Sequence, residues 1–460
     1  MSDSMKGKRI LVIGLGKSGV ASFDALLKEG ALPAVYDDRD IKKEDPLLFE
    51  KLKKTESECF LGGKPVTGKG WDLFVLSPGV PLSLPFITEA KNAGTKIIGE
   101  LELAYILGHG KYAAITGTNG KTTTTTLIGG LFSSAGLKTV TCGNIGRPVV
   151  TESTRAGAGT WLVTEVSSFQ LETIDRFRPK IAVLLNLTPD HMDRHGDMEN
   201  YAAAKARVFE NQEADDILVY NADDDLVSML AAGARSTVLP FSRKKILKTG
   251  AFVKEGNIVF AGSEDEEPIC VMRADSLRIP GSHNLENALA GVAVSFAAGI
   301  KPDVIAKTLM DFKGVEHRIE FVAEIGGIRF VNDSKGTNPD ASVKAIEAMG
   351  DNILLIAGGY NKDADFSEYV RAAKGRVKKF LLLGDTAGII KECALGAGFP
   401  DKDIVMAGGM GEAVRLGYEC ASAGDTILLS PACASWDMYE NYEERGAHFK
   451  EAVKKLEAGK

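Results

Sequence analysis

Short runs of aliphatic and β-branched residues recur along the whole chain, and each run is followed by small or polar residues and then by a helical pattern. Near-continuous apolar strands that alternate with helices are typical of parallel sheets covered on both faces. The runs predicted as strands lie at 9–13, 34–36, 73–76, 96–98, 113–116, 161–164, 181–187, 217–220, 329–332, 353–357, 379–383 and 426–429. The pattern therefore predicts an α/β fold.

The grouping of these runs, together with the length of 460 residues, predicts three domains rather than one core. We expect them to span 1–103, 104–313 and 314–460, each an open, mostly parallel sheet with flanking helices. The first and third are predicted to be Rossmann-like, and the second to resemble a P-loop ATPase. The polar stretch 263–268 is interpreted as a hairpin or surface loop.

Glycine or polar residues directly follow many of the predicted strands. In open parallel sheets, ligands bind beyond the carboxyl ends of the strands, so these positions are the first candidates for a functional site. They are Gly14, Asp37, Ser77, Gly117, Glu165, Asn186, Asp333, Gly358 and Ser430.

The clearest motif reads G-T-N-G-K-T over 117–122, between a predicted strand and a helix. Glycines let backbone N–H groups surround an anion, while Lys121 would reach the terminal phosphates of a nucleotide and Thr122 would offer a hydroxyl to Mg²⁺. Ile115 occupies the first glycine position of the common G-x-x-x-x-G-K-[ST] pattern, so the chain fits only a shorter form. The alternative is a tight turn that happens to contain a lysine, and the strand–loop–helix context disfavours it.

Glu165 ends the predicted strand 161–164. Alone it would be interpreted as a solvated acid at a strand end. A carboxylate beside a phosphate loop, however, is where Mg²⁺ would be held. The pairing of the two features favours a role in metal binding.

Composition narrows the classes of function. The formal net charge is -7 and no basic tract stands out, which argues against nucleic acid as the main partner. No apolar run approaches the length of a membrane span, and the polar N-terminus lacks a secretory signal. The six cysteines are scattered without a C-x-x-C pair, which indicates a reduced, cytoplasmic chain without a disulfide framework or zinc site.

The first predicted strand leads into G-L-G-K-S-G over 14–19, and Asp37 and Asp38 follow the second. This matches the G-x-G-x-x-G pattern with an acid about twenty residues further on, so a dehydrogenase is one alternative. The motif alone is a weak signal, because the same turn binds any diphosphate nucleotide.

A second polar cluster, D-H-M-D-R-H over 190–195, follows the strand predicted at 181–187, and Lys205 lies among alanines shortly after it. An acidic loop of this kind is equally well explained as a helix cap. A lysine among alanines is usually an exposed residue whose stem lies along the helix. The residues alone therefore assign a function to neither.

Together these motifs resemble those of the Mur ligases, which build the peptide stem of bacterial peptidoglycan. The segments that carry the resemblance are 117–122, 165–171, 190–193, 201–205, N-D-S-K-G-T-N over 332–338 and L-S-P-A-C-A-S over 429–435. The resemblance covers nearly the whole chain. It is strongest to the members that join D-glutamate to UDP-N-acetylmuramoyl-L-alanine.

The resemblance implies three sets of ligand contacts. ATP would contact Gly117, Thr118, Asn119, Gly120, Lys121, Thr122, Thr123, Asn284, Asn287, Arg318 and Asp333. The UDP-linked substrate would contact Leu15, Lys17, Ser18, Asp37, Asp38, Arg39, Ser77, Gly79 and Asn144. D-Glutamate would contact Lys335, Thr337, Lys362, Ser435 and Tyr442.

The resemblance also implies a catalytic group of Lys121, His191 and Lys205, together with two Mg²⁺ ions. Thr122 and Glu165 would hold the first ion, and His191 and Lys205 the second. An ammonium group cannot bind Mg²⁺, which prefers oxygen ligands. A lysine neutralised by burial can take up CO₂, and the resemblance implies such a carbamate on Lys205.

The implied reaction is an ATP-dependent ligation in peptidoglycan precursor synthesis. The carboxylate of the L-alanyl substrate would form an acyl phosphate, which the amine of D-glutamate would attack. We expect a cytoplasmic monomer that acts on small molecules. A folylpolyglutamate-type ligase, a nucleotide-gated switch and a dehydrogenase are the alternatives.

Overall fold

The computed structural model describes residues 4–64, 66, 70–279, 281–360 and 364–458, apart from the side chain of Asp193. The described residues form three sheets, and the chain divides into two compact units. The first unit comprises the residues up to Ala274 together with Glu286–Leu309. The second comprises Asp275–Leu285 together with the residues from Met310 onward. No helix in the described residues is long and apolar enough to cross a membrane.

The first sheet belongs to the first unit, and its strands are all parallel. The strands are β1 (Arg9–Ile13), β2 (Leu32–Asp37), β3 (Cys59–Leu61), β4 (Leu73–Leu76) and β5 (Lys96–Gly99). The accompanying helices are α1 (Lys17–Lys28), α2 (Ile41–Glu44), α3 (Pro46–Lys53), α4 (Pro85–Asn92) and α5 (Glu100–Leu107). The spatial order is β3-β2-β1-β4-β5, so the direction of winding reverses between β1 and β4. Ligands bind at such a reversal in open parallel sheets.

The second sheet follows in the same unit, in the order β14-β13-β12-β11-β10-β9-β6-β8-β7. Its strands are β6 (Lys111–Thr116), β7 (Thr139–Gly143), β8 (Trp161–Glu165), β9 (Ile181–Leu184), β10 (Ile217–Asn221), β11 (Thr237–Ser242), β12 (Gly250–Lys254), β13 (Asn257–Ala261) and β14 (Ile269–Arg273). The helices in this stretch are α6 (Lys121–Ser134), α7 (Val149–Ser153), α8 (Ser168–Leu171), α9 (Met192–His195), α10 (Met198–Ala206), α11 (Asp225–Ala231), α12 (Ser282–Ala297) and α13 (Pro302–Asp311). The pairs from β7 to β12 are parallel, and β13 and β14 are antiparallel.

The third sheet lies in the second unit, in the order β15-β16-β20-β17-β18-β19. Its strands are β15 (Glu320–Ile325), β16 (Ile328–Asn332), β17 (Ile353–Ala357), β18 (Val377–Leu382), β19 (Ile404–Met406) and β20 (Thr426–Leu429). The helices are α14 (Pro339–Met349), α15 (Ser367–Ala373), α16 (Ala387–Gly396), α17 (Met410–Cys420) and α18 (Tyr442–Ala458). Short 3-10 turns lie at Arg207–Phe209, Ala274–Ser276 and Asp401–Asp403. Only β15 is antiparallel among the described pairs of this sheet.

The prediction of an α/β fold with mostly parallel sheets is confirmed. The strands predicted at 9–13, 73–76, 353–357 and 426–429 have the bounds observed for β1, β4, β17 and β20. The stretch 263–268 connects the antiparallel strands β13 and β14, as a hairpin does. The domain boundaries expected after residues 103 and 313 lie between the strands of successive sheets, and they stay a prediction.

Several strands were not predicted. They are the edge strands β3, β7, β14, β15 and β19 and the inner strands β11, β12 and β13. Among the edge strands, β3 and β19 have only three residues each, and β7 and β15 mix polar with apolar residues, so none of these four gives a long apolar run. The strand predicted at 181–187 was too long. β9 ends at Leu184, and the Asn186 carbonyl accepts the N–H of Thr118 in the loop that follows β6.

Helix α5 ties the first sheet to the second through two buried glutamates. The Glu102 carboxylate accepts the backbone N–H groups of residues 175–177 at 2.9, 2.9 and 3.0 Å. Glu100 accepts the Val150 N–H at 2.7 Å, and burial raises the pKa of Glu100 to about 7. One hydrophobic core cluster runs through both sheets. The two sheets therefore pack as one compact unit.

Substitution of Glu102 by alanine is expected to lower the free energy of unfolding of the first unit by about 3 kcal/mol, because three backbone N–H groups would lose a charged acceptor. Urea denaturation followed by circular dichroism measures this change. Glu89→Ala, which removes an exposed acid from α4, is the control and should stay within about 0.5 kcal/mol of the wild type. Equal midpoints for the two variants would contradict the role of Glu102.

Candidate active site

The phosphate loop, residues 117–120, joins β6 to α6 through two glycines with positive φ. Gly117 has φ 148° and Gly120 has φ 84°. A Cβ atom on Gly117 would lie 2.9 Å from Leu185 Cβ, and one on Gly120 would lie 2.4 Å from Asn287 Oδ1. Both positions therefore need glycine, for the backbone angle and for the space.

Lys121 begins α6, and its side chain folds back over the phosphate loop. Its Nζ donates to the carbonyl oxygens of Gly117 at 2.9 Å and Thr118 at 2.7 Å. Thr122 and Thr123 follow in the first turn of the helix and are buried. The loop amides, the lysine and the helix N-terminus thus lie together, and this combination suits a phosphate chain.

Residues beyond the end of β9 hold the phosphate loop in place. Asn119 N–H donates to Asn186 Oδ1 at 2.8 Å, and Asn186 Nδ2 donates to the Asn119 carbonyl at 3.1 Å. Thr118 Oγ1 accepts the Thr188 N–H at 3.0 Å and lies 3.1 Å from the Tyr201 hydroxyl. Asn186 was predicted only as a strand-end residue, and the structure shows that its side chain holds the phosphate loop.

Glu165 ends β8, the neighbour of β6, and is 2% exposed. Its Oε1 accepts Asn144 Nδ2 at 2.9 Å. Its Oε2 is buried without a hydrogen-bond partner in the described part of the chain. Leaving such an oxygen unsatisfied is costly, so the atom is suited to an external donor or cation. Asn144, expected to contact the UDP-linked substrate, lies at this carboxylate.

Lys205 is 2% exposed, so its interpretation as a surface lysine is wrong. Its Nζ donates to the Gly117 carbonyl at 2.8 Å, the same oxygen that accepts Lys121 Nζ. Its Nζ also lies 4.8 Å from the centroid of the Tyr201 ring. Two ammonium groups on one carbonyl would repel each other, and the more buried amine is the one that gives up its charge.

The electrostatics of Lys205 follow from this position. Burial and then the charge of Lys121 hold the pKa of Lys205 well below its ordinary value, and the carboxylates of Asp190 and Glu165 oppose that shift without cancelling it. Lowering the pKa of a lysine raises the fraction of its amine that is neutral and carries a free lone pair. Lys205 can therefore act as a nucleophile towards a small electrophile.

The two histidines of the second polar cluster have different environments. His191 precedes α9 with φ 55°, and its side chain is 49% exposed. Its ring lies 4.9 Å from the Phe169 ring and its Nε2 lies 3.6 Å from Asp190 Oδ2. His195 is buried instead, with Nε2 3.0 Å from Ser168 Oγ. His191 is therefore the more accessible ligand.

No three His, Cys, Asp or Glu side chains among the described residues lie close enough together to hold a metal ion by themselves. Mg²⁺ at a nucleotide usually takes one or two carboxylates from the protein, and phosphates and waters complete its shell. Glu165, with one unpartnered oxygen, and the Thr122 hydroxyl fit such an ion. His191 and an unmodified Lys205 lack the oxygen ligands that Mg²⁺ prefers, so they fit a second ion only if Lys205 carries a carboxylate-like group.

A groove of about 490 Å³ opens at the carboxyl ends of β1, β2 and β4. It lies at the reversal of strand order, where ligands of such sheets bind. Its lining includes the first-sheet residues expected at the UDP-linked substrate: Leu15, Lys17, Ser18, Asp37, Asp38, Arg39, Ser77 and Gly79. The structure thus brings this set together, and Asn144 lies apart from it on the second sheet.

Asp37 is buried, and its carboxylate is already engaged. It accepts the Leu15 N–H at 2.6 Å, Arg39 Nε at 3.0 Å and Arg39 Nη2 at 2.9 Å. Burial raises the pKa of Asp37, but the hydrogen bonds from Arg39 and Leu15 outweigh burial and hold the pKa below its usual value. A dehydrogenase uses the equivalent acid to bind the ribose, so the engagement with Arg39 disfavours that alternative.

Helix α12 carries the two asparagines expected at the adenine nucleotide. Asn287 Oδ1 accepts Thr124 Oγ1 at 3.1 Å and lies against Gly120 of the phosphate loop. Asn284 is one turn earlier in the helix and is buried. The position of Asn287 agrees with a nucleotide site at this loop.

In the second unit, the polar residues at the ends of adjacent strands meet. Asp333 follows β16, and its Oδ2 accepts Ser430 Oγ, which follows β20, at 2.7 Å. Asp333 Oδ1 accepts the Ile319 N–H at 3.3 Å. Burial raises the pKa of Asp333 to about 7, against the hydrogen bond from Ser430 and the charge of Arg318. Asp333 and Arg318, both expected at the nucleotide, therefore lie near each other.

The residues expected around D-glutamate are only partly brought together. Lys335 Nζ lies 5.2 Å from the centroid of the Tyr442 ring, and the Thr337 N–H donates to the Lys335 carbonyl at 2.9 Å. Ser435 is buried beyond the end of β20. Lys362 lies outside the described residues.

Arg445 of α18 was not predicted as a functional residue; it is 1% exposed and joins the loops after β16 and β20. Its Nη2 donates to the Ser334 carbonyl at 2.7 Å, and its Nη1 donates to the carbonyls of Cys433 at 3.1 Å and Ala434 at 3.2 Å. Burial lowers the pKa of Arg445 to about 10. An arginine in a helix rich in charged residues is usually exposed, so the sequence carries no signal for this role.

Known protein families match the chain in three consecutive segments. Residues 8–99 match the Mur ligase MurD-like N-terminal domain, residues 115–295 the Mur ligase middle domain and residues 317–433 the Mur ligase glutamate ligase domain.

Curated relatives match over the full length. The UDP-N-acetylmuramoylalanine–D-glutamate ligase of Caldanaerobacter subterraneus is 50% identical over 454 residues, which cover 98% of this chain and 99% of that protein. The protein of the same name from Pelotomaculum thermopropionicum is 51% identical over 453 residues, 98% of each chain.

Solved structures share the fold. The UDP-N-acetylmuramate–alanine ligase of Thermotoga maritima superposes with a TM-score of 0.60 at 18% identity, over 98% of this chain and 100% of that chain. The MurF ligase of the same organism, crystallised with ADP, gives a TM-score of 0.59 at 17% identity, over 99% and 96%.

Substitution of Asp333 by asparagine is expected to change how the stability of the second unit depends on pH. The pKa of Asp333 is raised to about 7 in the folded chain. Its contribution to stability is therefore full below the pKa of the unfolded chain and is lost as the pH rises through the folded value. Asparagine does not ionise, so the stability of the variant relative to the wild type should rise by on the order of 4 kcal/mol between about pH 4 and 8.

Urea denaturation across this pH range, followed by hydrogen-exchange mass spectrometry of β16 and β20, measures the gain. Asp385→Asn, at an exposed loop position of the same unit, is the control and should show none. A difference between Asp333→Asn and the wild type that does not vary with pH would refute the assignment of this titration to Asp333.

Proposed function

The chain belongs to the Mur ligase family, and on that premise we propose that it is the ATP-dependent ligase that joins D-glutamate to UDP-N-acetylmuramoyl-L-alanine. The reaction releases ADP and phosphate and is a step in peptidoglycan precursor synthesis. The observation that carries this function is the identity of 50% and 51% with full-length relatives of that name. The substrates are small molecules.

Each sheet takes one substrate in this proposal. The groove of the first sheet, in domain 1–103, binds the UDP part of the substrate, and its position at the strand reversal supports this. The phosphate loop of domain 104–313 binds ATP. Domain 314–460 presents Lys335, Thr337, Lys362, Ser435 and Tyr442 to D-glutamate. Two carboxylates on that ligand require cations and hydroxyl groups.

The phosphate loop and Lys121 bind and neutralise the phosphates of ATP. The hydrogen bonds from Asn186 and Thr188 fix the loop before ATP arrives, so little reorganisation is needed at the moment of reaction. Glu165 and Thr122 would hold Mg²⁺, and the unpartnered Glu165 Oε2 supports this. The ion would supply charge neutralisation at the β- and γ-phosphates.

The ligation takes place in two steps. A carboxylate oxygen of the L-alanyl group attacks the γ-phosphorus of ATP, and ADP leaves, which gives an acyl phosphate. The amine of D-glutamate then attacks the acyl carbon, the bond from that carbon to the phosphate oxygen breaks, and the nitrogen loses a proton as the amide forms. The protein orients the reactants and neutralises the charge that develops on the transferred phosphoryl group.

Lys205 carries a carbamate in this proposal. Its buried amine, with a lowered pKa, attacks the carbon of CO₂ and releases a proton to water, which leaves a carbamate anion. The new oxygens convert a site that repels Mg²⁺ into one that can hold a second ion together with His191. The hydrogen bond from Lys205 to the Gly117 carbonyl supports a position beside the phosphate loop.

The proposed enzyme works in the cytoplasm as a monomer. All six cysteines are free, which suits a reducing compartment. The substrate contacts proposed here all come from one chain.

The proposed function predicts that phosphate release requires ATP, UDP-N-acetylmuramoyl-L-alanine and D-glutamate together. A coupled phosphate assay in which each component is omitted in turn measures this requirement. Turnover with L-glutamate should be at least about 100-fold lower, because a site built for one arrangement of carboxylates leaves charged groups unpaired with the other.

Other results of this assay would favour the alternatives. Equal turnover with a folate substrate would favour a folylpolyglutamate-type ligase. Tight ATP binding without phosphate release in the presence of both substrates would favour a nucleotide-gated switch. Binding of a nicotinamide cofactor in a fluorescence titration would favour a dehydrogenase.

Replacement of Lys205 by alanine is expected to reduce turnover by on the order of 100-fold or more. The variant would lose a ligand of the second Mg²⁺, whose charge would stabilise the transition state. A small added carboxylate, such as acetate, should restore part of the activity by occupying the place of the carbamate. Lys28→Ala, which removes an exposed lysine from the end of α1, should retain wild-type activity with or without acetate. Full activity of untreated Lys205→Ala would rule out the carbamate.

A further inference from the structure

Arg194 belongs to the second polar cluster, residues 190–195, and reaches from the second sheet to the groove of the first. Its Nη2 donates to the Val80 carbonyl at 3.3 Å. Val80 lies in the loop that follows β4 and lines the groove of about 490 Å³. This hydrogen bond joins the wall of the groove to the cluster that contains His191.

The guanidinium of Arg194 is also held on the side of the second sheet. Its Nη2 donates to Glu172 Oε2 at 2.7 Å, and its Cζ lies 4.8 Å from the centroid of the Phe169 ring. The side chains of Arg194 and Glu172 are only 20% and 17% exposed, so salt screens this ion pair less than it screens a surface pair. A planar guanidinium with a carboxylate, a carbonyl and a ring face as neighbours keeps one orientation.

Phe169 in turn contacts both histidines of the cluster. Its ring centroid lies 4.9 Å from that of His191, with the planes at 64°, and 5.7 Å from that of His195, with the planes at 17°. His195 is itself fixed, because its Nε2 lies 3.0 Å from Ser168 Oγ and its Nδ1 lies 3.6 Å from Glu172 Oε1. The Phe169 ring therefore contacts both histidines as well as the guanidinium described above.

His191 depends on such contacts for its place. Its φ of 55° lies in the left-handed region, which a residue with a side chain rarely adopts unless its surroundings hold it there. Its side chain is 49% exposed, and the Phe169 ring packs against the part that is covered. Displacement of Arg194 or Phe169 is therefore expected to move His191.

We propose that Arg194 is a positioning residue for the ligation, which holds the loop after β4 and the second polar cluster in one arrangement. Binding of the UDP part of the substrate in the groove orders the loop at Val80, and Arg194 extends this order to His191. The inference rests on the proposed function, because it takes the UDP-linked substrate from there. In this assignment Arg194 contacts the protein and not the substrate, so its loss affects the reaction through the place of His191.

Hydrogen-exchange mass spectrometry with and without saturating UDP tests this coupling. In the wild type, UDP should slow the exchange of the loop after β4. It should also slow, by roughly fivefold or more, the exchange of the amides of residues 194–196, which are hydrogen-bonded within and just after α9. In Arg194→Leu, UDP should still slow the exchange of the loop after β4, but the exchange of residues 194–196 should no longer respond.

Two further variants complete the comparison. Arg194→Lys keeps the positive charge, but one ammonium group cannot contact the carboxylate, the carbonyl and the ring together, so this variant should also lose most of the response. It decides the outcome if Arg194→Leu does not fold. Arg155→Leu, which removes an exposed arginine from the segment after α7, is the matched control and should respond to UDP as the wild type does.

Steady-state kinetics and titration calorimetry separate positioning from substrate binding. Both Arg194 variants should reduce kcat by on the order of tenfold to 100-fold, because a small displacement of a group at the reaction centre is costly. Their affinity for UDP should stay within about twofold of the wild type, and their KM for ATP should stay unchanged, because neither ligand loses a contact.

Three results would contradict this role of Arg194 and leave the proposed function standing. They are a response of residues 194–196 to UDP that persists in both variants, no such response in a wild type that binds UDP, and a loss of UDP affinity in the variants without a fall in kcat. A wild type that neither binds UDP nor releases phosphate would overturn the proposed function itself, and the role of Arg194 with it.

Discussion

The site depends on how closely the phosphate loop approaches the rest of the second sheet. At Gly117 and Gly120 the backbone comes so near to Leu185 and Asn287 that one added carbon atom would collide. This close approach lets the Asn186 side chain form hydrogen bonds with both the N–H and the carbonyl of Asn119. A loop held by several contacts presents its amides in one arrangement. Binding of a phosphate chain then costs little further loss of conformational entropy in the loop.

The same packing sets the charges of the two lysines. Lys121 and Lys205 both donate to the Gly117 carbonyl, one from the start of α6 and the other from α10. Only Lys205 is fully buried, so desolvation falls mainly on its charge. The two lysines therefore have different roles: Lys121 is a phosphate-binding cation, and Lys205 is a candidate nucleophile. Such divergence between neighbouring titratable groups is typical of catalytic sites.

The first two sheets are joined by polar contacts as well as by a shared apolar core. Glu102 collects three backbone N–H groups of the second sheet's segment 175–177, and Glu100 holds the start of α7. These contacts fix the position of the groove of the first sheet relative to Glu165 of the second sheet. In the second unit, the buried guanidinium of Arg445 joins the loops after β16 and β20 by donating to their backbone carbonyls.

The sequence by itself determined the α/β class, most of the inner strands and the phosphate loop, because apolar runs and glycine-containing turns are local features that can be recognised without knowing their neighbours in space. Edge strands such as β3 and β19 escaped prediction because each is only three residues long, too short to stand out as an apolar run. Only the tertiary structure decided that Lys205 is buried, that Asp37 is engaged by Arg39 and that Arg445 lies inside the second unit. Burial and charge depend on neighbours contributed by distant parts of the chain, and no local pattern records which neighbours those are.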